Sequence, residues 1–597
     1  MHGGFGRWST SPHSEYLPWV LLGVLISAVL LLGMVWLGGS IGALAAGAGW
    51  NPPPFRLSTL IAMLRSPSQV WPGVSSAMVW VGIVIVTAAT SAALVPLGLN
   101  TYRWMMQTPG LATTRDLRPF SYKASVRRAR QLRPSLGAVR SPAPDQTGML
   151  LGDHQGVEQR GSWEDVILAL MAPRSGKTTA LAVPLALRAP GAVLITSRKA
   201  DVYCATAAPR RAVGRLWLFD PQHIAFGEQD WWWDMLALAR TVEGARRLAG
   251  HFISAAFSAS ERSNFWSLAA GNVLCALFHA AARADDGRTV QDVLAWLGNP
   301  ADRTPLDLLH DVGADGLADH LQRTIRGAPE TRDGIYETAG QVVACLLDPA
   351  ITAWVTPDPD KPRFDPDAFV TSKDTLYLFS KKGPGSAAPL SAAFADACFQ
   401  AGITAAEAAG GRLDPPLLPI LDEAANICPI EDLPDLYSFL GSLGLPVVTI
   451  LQSYRQGVRV WGSPGMDALW SAATIKILGA GLDDADFAEK ISRLIGHHRV
   501  VEPSVSYSRQ GRSLSLSTRL ERIYQAADVR ALPKGTALLL ATGIRAAVIT
   551  LRPWMMEPYA DKLAAAIKRE EHLLTQRARR MHGTTTTTGA LRSAKDQ

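Results

Sequence analysis

Two stretches near the start of the chain carry no charged residue and are too long for ordinary core elements. Leu17 to Gly49 has none, and Leu17 to Leu37 within it is dense in Leu, Val and Ile. As a helix such a run crosses the roughly 30 Å hydrocarbon layer of a membrane. A second runs from about Val70 to Leu99 around Met78–Thr87, with Trp71 and Trp80 where interfacial anchors belong. The pattern predicts a transmembrane helical hairpin. A cleaved signal peptide is the alternative for the first run, but the run outlasts a signal core, its leading flank is barely basic, and a second span follows.

Further on the pattern changes to short apolar runs separated by helical stretches. The runs are Asp165–Met171, Ala192–Thr196, Arg215–Phe219, Thr375–Phe379, Leu417–Leu421, Pro446–Leu451, Thr474–Leu478, Thr536–Ala541 and Ala547–Leu551. Strands this apolar predict a mostly parallel sheet covered on both faces. From about Thr241 to Asp348 the spacing is helical instead, as in Asn264–Arg283 and Val290–Leu297, which predicts a separate all-α domain. Its aromatic pair Phe265 and Trp266 reads first as helix packing, with stacking on nucleic-acid bases the alternative. Arg499–Arg522 alternates as an exposed Ser- and Arg-rich hairpin, and Pro558–Arg580 as an amphipathic helix. The tail GTTTTTGALRSAKDQ has too little apolar content to fold.

Composition agrees. With 597 residues, 48% hydrophobic and 19% charged, the chain is no small disulfide-stapled module, and its apolar surplus divides between lipid and core. Its five cysteines lie far apart without a C-x-x-C pair, so they read as reduced core thiols. The net charge of +7 is unevenly placed. Between Asn51 and Gln69 only Arg56 and Arg65 are basic, whereas the segment after the second span carries Arg103, Arg115, Arg118, Lys123, Arg127, Arg128, Arg130, Arg133 and Arg140 against Asp116. By the positive-inside rule both ends of the hairpin, and the bulk of the chain, are cytoplasmic. That cluster is a topology signal, with attraction to anionic headgroups, before it is a nucleic-acid site.

The chemistry begins after the first predicted strand of the sheet. Pro173-Arg174-Ser175-Gly176-Lys177-Thr178-Thr179 follows the run Asp165–Met171 and precedes a helical ALAVPLALR. Strand, tight loop and helix form the setting of a Walker A loop: backbone N–H groups cradle phosphates, Lys177 reaches the β and γ phosphates, and Thr178 ligates Mg²⁺. A chance SGKTT on a surface loop is the alternative, and the preceding strand argues against it. Met171 stands where the motif has its first glycine, so the loop entry must be extended there. Pro184 should kink the helix that follows.

Leu417–Leu421 ends in Asp422-Glu423. Alone this would read as a helix start; beside a Walker A loop it reads as a Walker B strand, with Asp422 on the magnesium and Glu423 as the base that polarises the attacking water. Gln452 ends the run Pro446–Leu451, at the carboxyl edge where parallel sheets bind ligands, and is placed to sense the γ-phosphate or water. Arg519 or Arg522, on the basic hairpin, is a candidate arginine finger, with a merely solvated hairpin the alternative.

Together the membrane hairpin, P-R-S-G-K-T-T, Leu421-Asp422-Glu423-Ala424-Ala425-Asn426-Ile427-Cys428-Pro429-Ile430 and Ile450-Leu451-Gln452-Ser453 resemble the type IV secretion coupling proteins, the TraG/TraD-like ATPases of bacterial conjugation. Thr196-Ser197-Arg198-Lys199 and Phe219-Asp220-Pro221 also fit, although many relatives carry an acidic residue at the place of Ser197. The resemblance spans nearly the whole chain, to about Trp554. It implies an ATP- and Mg²⁺-dependent ring at the inner membrane, a homohexamer that receives relaxase-bound single-stranded DNA, and protein substrates too, and hands them to a type IV secretion channel. The expected fold is α/β: a RecA-like P-loop NTPase core with an inserted all-α domain, preceded by an N-terminal two-helix transmembrane hairpin.

The corresponding segments are 1–16 cytoplasmic, 17–99 the hairpin with its external loop, 100–145 a basic linker, and 146–240 the first part of the nucleotide-binding domain. There follow 241–350 all-α, 351–556 the second nucleotide-binding part, and 557–597 a helix and tail. Two other readings compete. One is a double-strand translocase of the FtsK type, against which the mere 40 or so residues after Trp554 argue. The other is a membrane-docked adaptor that binds nucleotide without turnover.

Overall fold

The apolar runs assemble into one mixed sheet. In chain order the strands are β1 (Met149–His154), β2 (Val157–Gly161), β3 (Ile167–Leu170), β4 (Val193–Ser197), β5 (Leu216–Phe219), β6 (Thr375–Phe379), β7 (Leu418–Asp422), β8 (Val448–Leu451), β9 (Ile475–Gly479), β10 (His497–Ser508), β11 (Gly511–Arg522), β12 (Thr536–Ala541) and β13 (Ala547–Thr550). Eleven of them form the sheet, in the order β2-β1-β13-β12-β9-β3-β8-β7-β4-β6-β5, while β10 and β11 make a separate hairpin. From β9 to β5 all pairings are parallel; β12, β13, β1 and β2 extend the β9 edge antiparallel. The computed structural model describes residues 13–105, 110–383, 385–508 and 511–593, in two compact units that divide after Gln107.

Strand periodicity sends alternate residues to opposite cores. Leu168 and Leu170 of β3 join one cluster and Ile167 and Ala169 the other, all fully buried. The first face is covered by helices Val242–Ala256, Phe265–Arg283 and Ala388–Ala408, the second by Val183–Arg188, Asp201–Arg211 and the start of Ala560–Ser593. Both faces being dry explains why the parallel strands read as unbroken apolar runs. The five cysteines are free and buried, as their scatter implied.

The helices between β5 and β6 include Val290–Gly298, Thr304–Asp311, Asp315–Ile325 and Pro329–Val342, and share the core of one sheet face. The packing expectation for Phe265 and Trp266 holds in part. They open their helix in an edge-to-face pair 5.3 Å apart; Phe265 is exposed, while Trp266, partly exposed, lays its ring over Gly334 of helix Pro329–Val342. A buried triad ties these helices to the sheet layer. Asp396, 1% exposed, accepts from His251 Nε2 at 3.0 Å and from Arg247, which also reaches Asp432.

In the first unit, helices His13–Ala45 and Ser76–Met105 pack through glycine. A Cβ on Gly38 would fall 2.6 Å from Ile83 Cα, and one on Gly82 would fall 2.4 Å from the Gly38 carbonyl oxygen. Backbones this close are characteristic of helix pairs in lipid. Ser76–Ala93 is long and apolar enough to cross a membrane, and its Val81, Val84 and Ile85 are exposed. For the first helix the described side chains supply the shorter apolar run Val29–Ala45; much of the expected span Leu17–Leu37 lies outside the described side chains. Helices Leu57–Arg65 and Pro67–Val70 fill the connection. Trp71 is buried, with its indole N–H donating to Asn51 O at 3.1 Å, so it belongs to the unit's interior rather than an interfacial rim. Phe265–Arg283 is also long and apolar, but it is a buried core helix of the second unit.

Not all of the basic cluster is surface charge. Arg133, 5% exposed, pairs with Asp414 at 2.9 Å and donates to Gln146 O. The C-terminal helix runs Ala560–Ser593, so its backbone continues through most of the stretch expected to lack structure. With few apolar side chains there, only helix propagation from the packed turns before it can sustain it.

Candidate nucleotide site

The phosphate loop begins where β3 runs out. Met171 N–H still donates to Leu451 O at 2.9 Å, so the chain leaves the sheet extended, as a methionine at that position requires. Met171 is fully buried beside Gly479, whose missing Cβ would come within 3.0 Å of its side chain. The sheet thus accommodates the bulk that replaces a glycine. Ser175 closes the turn, its N–H and hydroxyl both donating to Ala172 O. Left-handed backbone falls on Arg174 (φ 64°) and Gly176 (φ 92°). Arg174 bears a non-glycine cost of about 1 kcal/mol there, which Gly176 avoids. Pro173 precedes that turn.

Pro184 acts differently from a simple kink. Lys177–Ala182 is a wide π turn in which Val183 N–H reaches Thr178 O, and Val183–Arg188 then continues as α-helix with Pro184 in its first turn. Pro184 thus lies inside a continuous helical run, and the wide turn ahead of it accommodates the hydrogen bond its missing N–H cannot make. The N–H groups of the first turn, at Lys177, Thr178 and Thr179, are those a helix start leaves to a ligand. Thr179 hydroxyl bonds back to Gly176 O at 3.3 Å, which leaves Thr178 as the threonine without a hydrogen bond inside the loop among the described residues.

Parallel pairing of β3, β8, β7 and β4 brings the remaining groups to one edge. Lys177 Nζ lies 3.2 Å from Asp422 Oδ1 and donates to Glu423 Oε1 at 3.1 Å. Gln452 Nε2 donates to the same Glu423 oxygen at 2.9 Å. Thr196 hydroxyl holds the Asp422 carbonyl at 3.0 Å, fixing the strand end. Glu423 is left-handed, at φ 55°, because the chain turns sharply from β7 into Ala424–Ile427. Asp422 and Glu423 are 4% and 5% exposed. Burial raises the Asp422 carboxyl above its ordinary range, Lys177 opposes that, and the charge of Glu423 adds to it.

The donor set fits a magnesium nucleotide. Asp422 Oδ1 is buried without a hydrogen bond beside the P-loop lysine, a hard anionic oxygen of the kind Mg²⁺ takes. Thr178 and the loop N–H groups are donors of the kind a phosphate takes.

The residues expected at the site therefore converge, with two exceptions. Arg522 is engaged by both oxygens of Glu489, each at 2.6 Å, at the base of the β10–β11 hairpin, and Arg519 lies on the same strand. Neither forms part of the Lys177 cluster within one chain. The residue that sequence reasoning missed is Arg198. Its Nε lies 2.9 Å from Glu423 Oε2, and it follows β4, the immediate neighbour of β7. The segment Thr196–Lys199 was visible as family-like, but only strand order brings Arg198 onto Glu423. Asp220 is a loop organiser: buried, it accepts from the N–H groups of Ile224, Ala225 and Gly227.

A strand-loop-helix lysine facing a strand-end Asp-Glu pair on a mostly parallel sheet defines a P-loop NTPase fold. Residues 416–534 match the family model described as the TraM recognition site of TraD and TraG. The fold is shared with the bacterial conjugative coupling protein TrwBdeltaN70. Its unbound form gives a TM-score of 0.52 at 18% identity over 74% of this chain and 93% of that one. The plasmid coupling protein TrwB in complex with the non-hydrolysable GTP analogue GDPNP gives 0.52 at 17%, over 74% and 94%. No curated protein matches the sequence. The resemblance to type IV secretion coupling proteins, carried by Leu421–Ile430 and Ile450–Ser453, is borne out by the matched segment and by the fold.

Proposed function

We propose that the protein is a membrane-anchored ATPase that couples relaxase-bound single-stranded DNA, and protein substrates with it, to a type IV secretion channel. The observation that carries this is the cluster in which Lys177, Gln452 and Asp422 surround Glu423, on a fold shared with a conjugative coupling protein. In this reading Pro173–Thr179 wrap the phosphates, Thr178 and Asp422 hold Mg²⁺, and Lys177 turns from the carboxylates to the β and γ phosphates. Glu423, relieved of Lys177, accepts a proton from the attacking water while Gln452 orients it. The bound metal supplies charge neutralisation on the transferred phosphoryl group. TrwB bound to GDPNP supports nucleotide binding by this fold.

The glycine-packed pair His13–Ala45 and Ser76–Met105 supports an inner-membrane hairpin, with a RecA-like core and its inserted helices in the cytoplasm. We assign a homohexameric ring, in which Arg519 or Arg522 of one copy reaches a neighbour's γ-phosphate. For Arg522 this requires release from Glu489. Residues 416–534 would dock a relaxosome component, in keeping with the description of the family model.

The test is ATP turnover by the full-length protein in lipid nanodiscs, with and without single-stranded DNA, alongside transfer of DNA and protein from cells. Turnover and transfer lost together in Lys177→Ala and Glu423→Gln are expected. Nucleotide binding without turnover in the wild type, under conditions where rings assemble, would favour an adaptor instead.

A further inference from the structure

Glu423 has more partners than a working base can keep. One oxygen receives Lys177 and Gln452, and the other faces Arg198 at 2.9 Å. With both oxygens engaged, the carboxylate has to lose a partner before it can face a water molecule. Lys177 and Gln452 belong to the nucleotide site and are expected to rearrange with nucleotide. Arg198 comes instead from the segment after β4, outside the phosphate loop. Its side chain is 40% exposed, and it lines a cavity of about 780 Å³ that reaches the inserted helices and shares Gln452 with the nucleotide site.

That cavity is cationic. Arg198, Lys382, Arg455 and Arg459 line it against one carboxylate, Glu261. Arg455 is partly spent on Asp484 and Asp486, and Glu261 is held by Ser258 with Arg459 nearby. Polar amides complete the wall, among them Asn426 and Gln456. Charge of this sign with hydrogen-bonding amides, in a cleft open to solvent, suits the phosphodiester backbone of a single strand. The Arg198–Glu423 contact is close but lacks hydrogen-bond alignment, since Glu423 Oε2 has no hydrogen-bond partner. An incoming phosphate, which can take the guanidinium in a bidentate fork, competes well for such a partner.

We propose that this cavity binds nucleic-acid phosphates, and that Arg198 is a positioning residue reporting its occupancy to Glu423. Without the strand Arg198 restrains the base; with it Arg198 swings to phosphate and Glu423 is released. The inference rests on the motor reading above, and it accounts for how cargo would trigger hydrolysis.

The experiment uses the full chain in nanodiscs and an oligothymidylate probe. For Arg198→Ala, turnover without DNA should rise at least 3-fold toward the stimulated wild-type rate, with KM for ATP unchanged and stimulation by DNA lost. Arg198→Lys, which keeps the charge, should restore part of the restraint. Lys382→Ala combined with Arg459→Ala should raise the half-stimulating DNA concentration and the Kd from fluorescence anisotropy at least 5-fold. Turnover in Arg198→Ala that is lower than wild type, or still stimulated by DNA to the wild-type extent, overturns the restraint. Unchanged anisotropy in the double variant overturns the cavity. If the wild type turns over no ATP in any condition, the motor reading fails and the restraint with it, while anisotropy still decides the cavity separately.

Discussion

Lys177 and Glu423, 246 positions apart in the chain, meet at 3.1 Å, and the same ammonium group lies 3.2 Å from Asp422. Two nearly buried carboxylates share one countercharge from the phosphate loop. Removing it takes the paired cation from Asp422 and leaves Glu423 with the part-exposed Arg198, and breaking a buried pair from one side typically costs about 3–5 kcal/mol. Lys177→Met is therefore expected to destabilise the nucleotide-free protein as well as abolish turnover. Adding Glu423→Gln should recover part of the lost stability, because one of the stranded charges is gone. Chemical denaturation of wild type, single and double variants checks this; a double variant no more stable than Lys177→Met would show that the pair is not what holds the site together.

Glu423→Gln keeps the volume of the side chain and a hydrogen-bonding oxygen for Gln452, but not the basicity. Turnover should fall by about 10²–10⁴-fold, the usual contribution of a general base. Nucleotide affinity should change little, since the loop N–H groups and Lys177 remain. Single-turnover hydrolysis measured beside equilibrium nucleotide binding separates the two. A parallel loss of binding would move Glu423 from chemistry to ligand holding.

Met171 offers a test of the departure from the P-loop pattern. It is fully buried, and Gly479 makes space for it. Restoring the glycine by Met171→Gly opens a cavity between β3 and β9, at a cost of about 2–5 kcal/mol for truncating a buried large side chain. Because the loop entry is already extended, there is no strain for glycine to relieve, and nucleotide affinity should not improve. Thermal denaturation and nucleotide titration of the variant provide the check. A tighter-binding Met171→Gly would mean that the methionine does impair the loop.

The sheet was legible where both faces are dry. Every predicted strand from Asp165 to Leu551 appears within a residue or two, because burial of most positions on both faces leaves few polar ones, such as Lys476 and Thr449, to interrupt the run. β1 and β2 escaped notice for the opposite reason. They form a hairpin at the sheet edge around Gln155 and Gly156, both at positive φ, and carry Asp153, Glu158 and Arg160. Arg552, which pairs with Asp153 and Glu158, comes from beyond β13, a partnership no local pattern displays. In the site, Lys177, Asp422, Glu423 and Gln452 were readable because each ends a strand or opens a helix. Arg198 was not, since its role depends on β4 lying next to β7.

The pH dependence of stability should centre on Asp396, which fastens Arg247 and His251 of one inserted helix to the long helix Ala388–Ala408. Burial works against its ionisation, but His251 and Arg247 more than offset this and hold the carboxyl down to about 2, against 3.8 unperturbed. A depressed acid stabilises the fold wherever the unfolded chain would already be ionised, and that contribution disappears as protons bind the native form. The term should thus be full above about pH 5, shrink as pH falls through 3.8, and be nearly gone at about pH 2, amounting to about 2 kcal/mol. Asp396→Asn cannot ionise, so the stability gap between it and wild type should be widest near neutrality and narrow steadily below pH 4. Truncating the charge also strands Arg247, whose remaining ion pair is with Asp432, a partner 45% exposed, with Glu243 nearby, so the gap near neutrality should exceed the titration contribution alone. Urea denaturation of both proteins from pH 7 to pH 3 reads the difference directly. A gap that stays constant with pH would assign Asp396 a packing role only, with its charge unimportant to how the inserted helices are held.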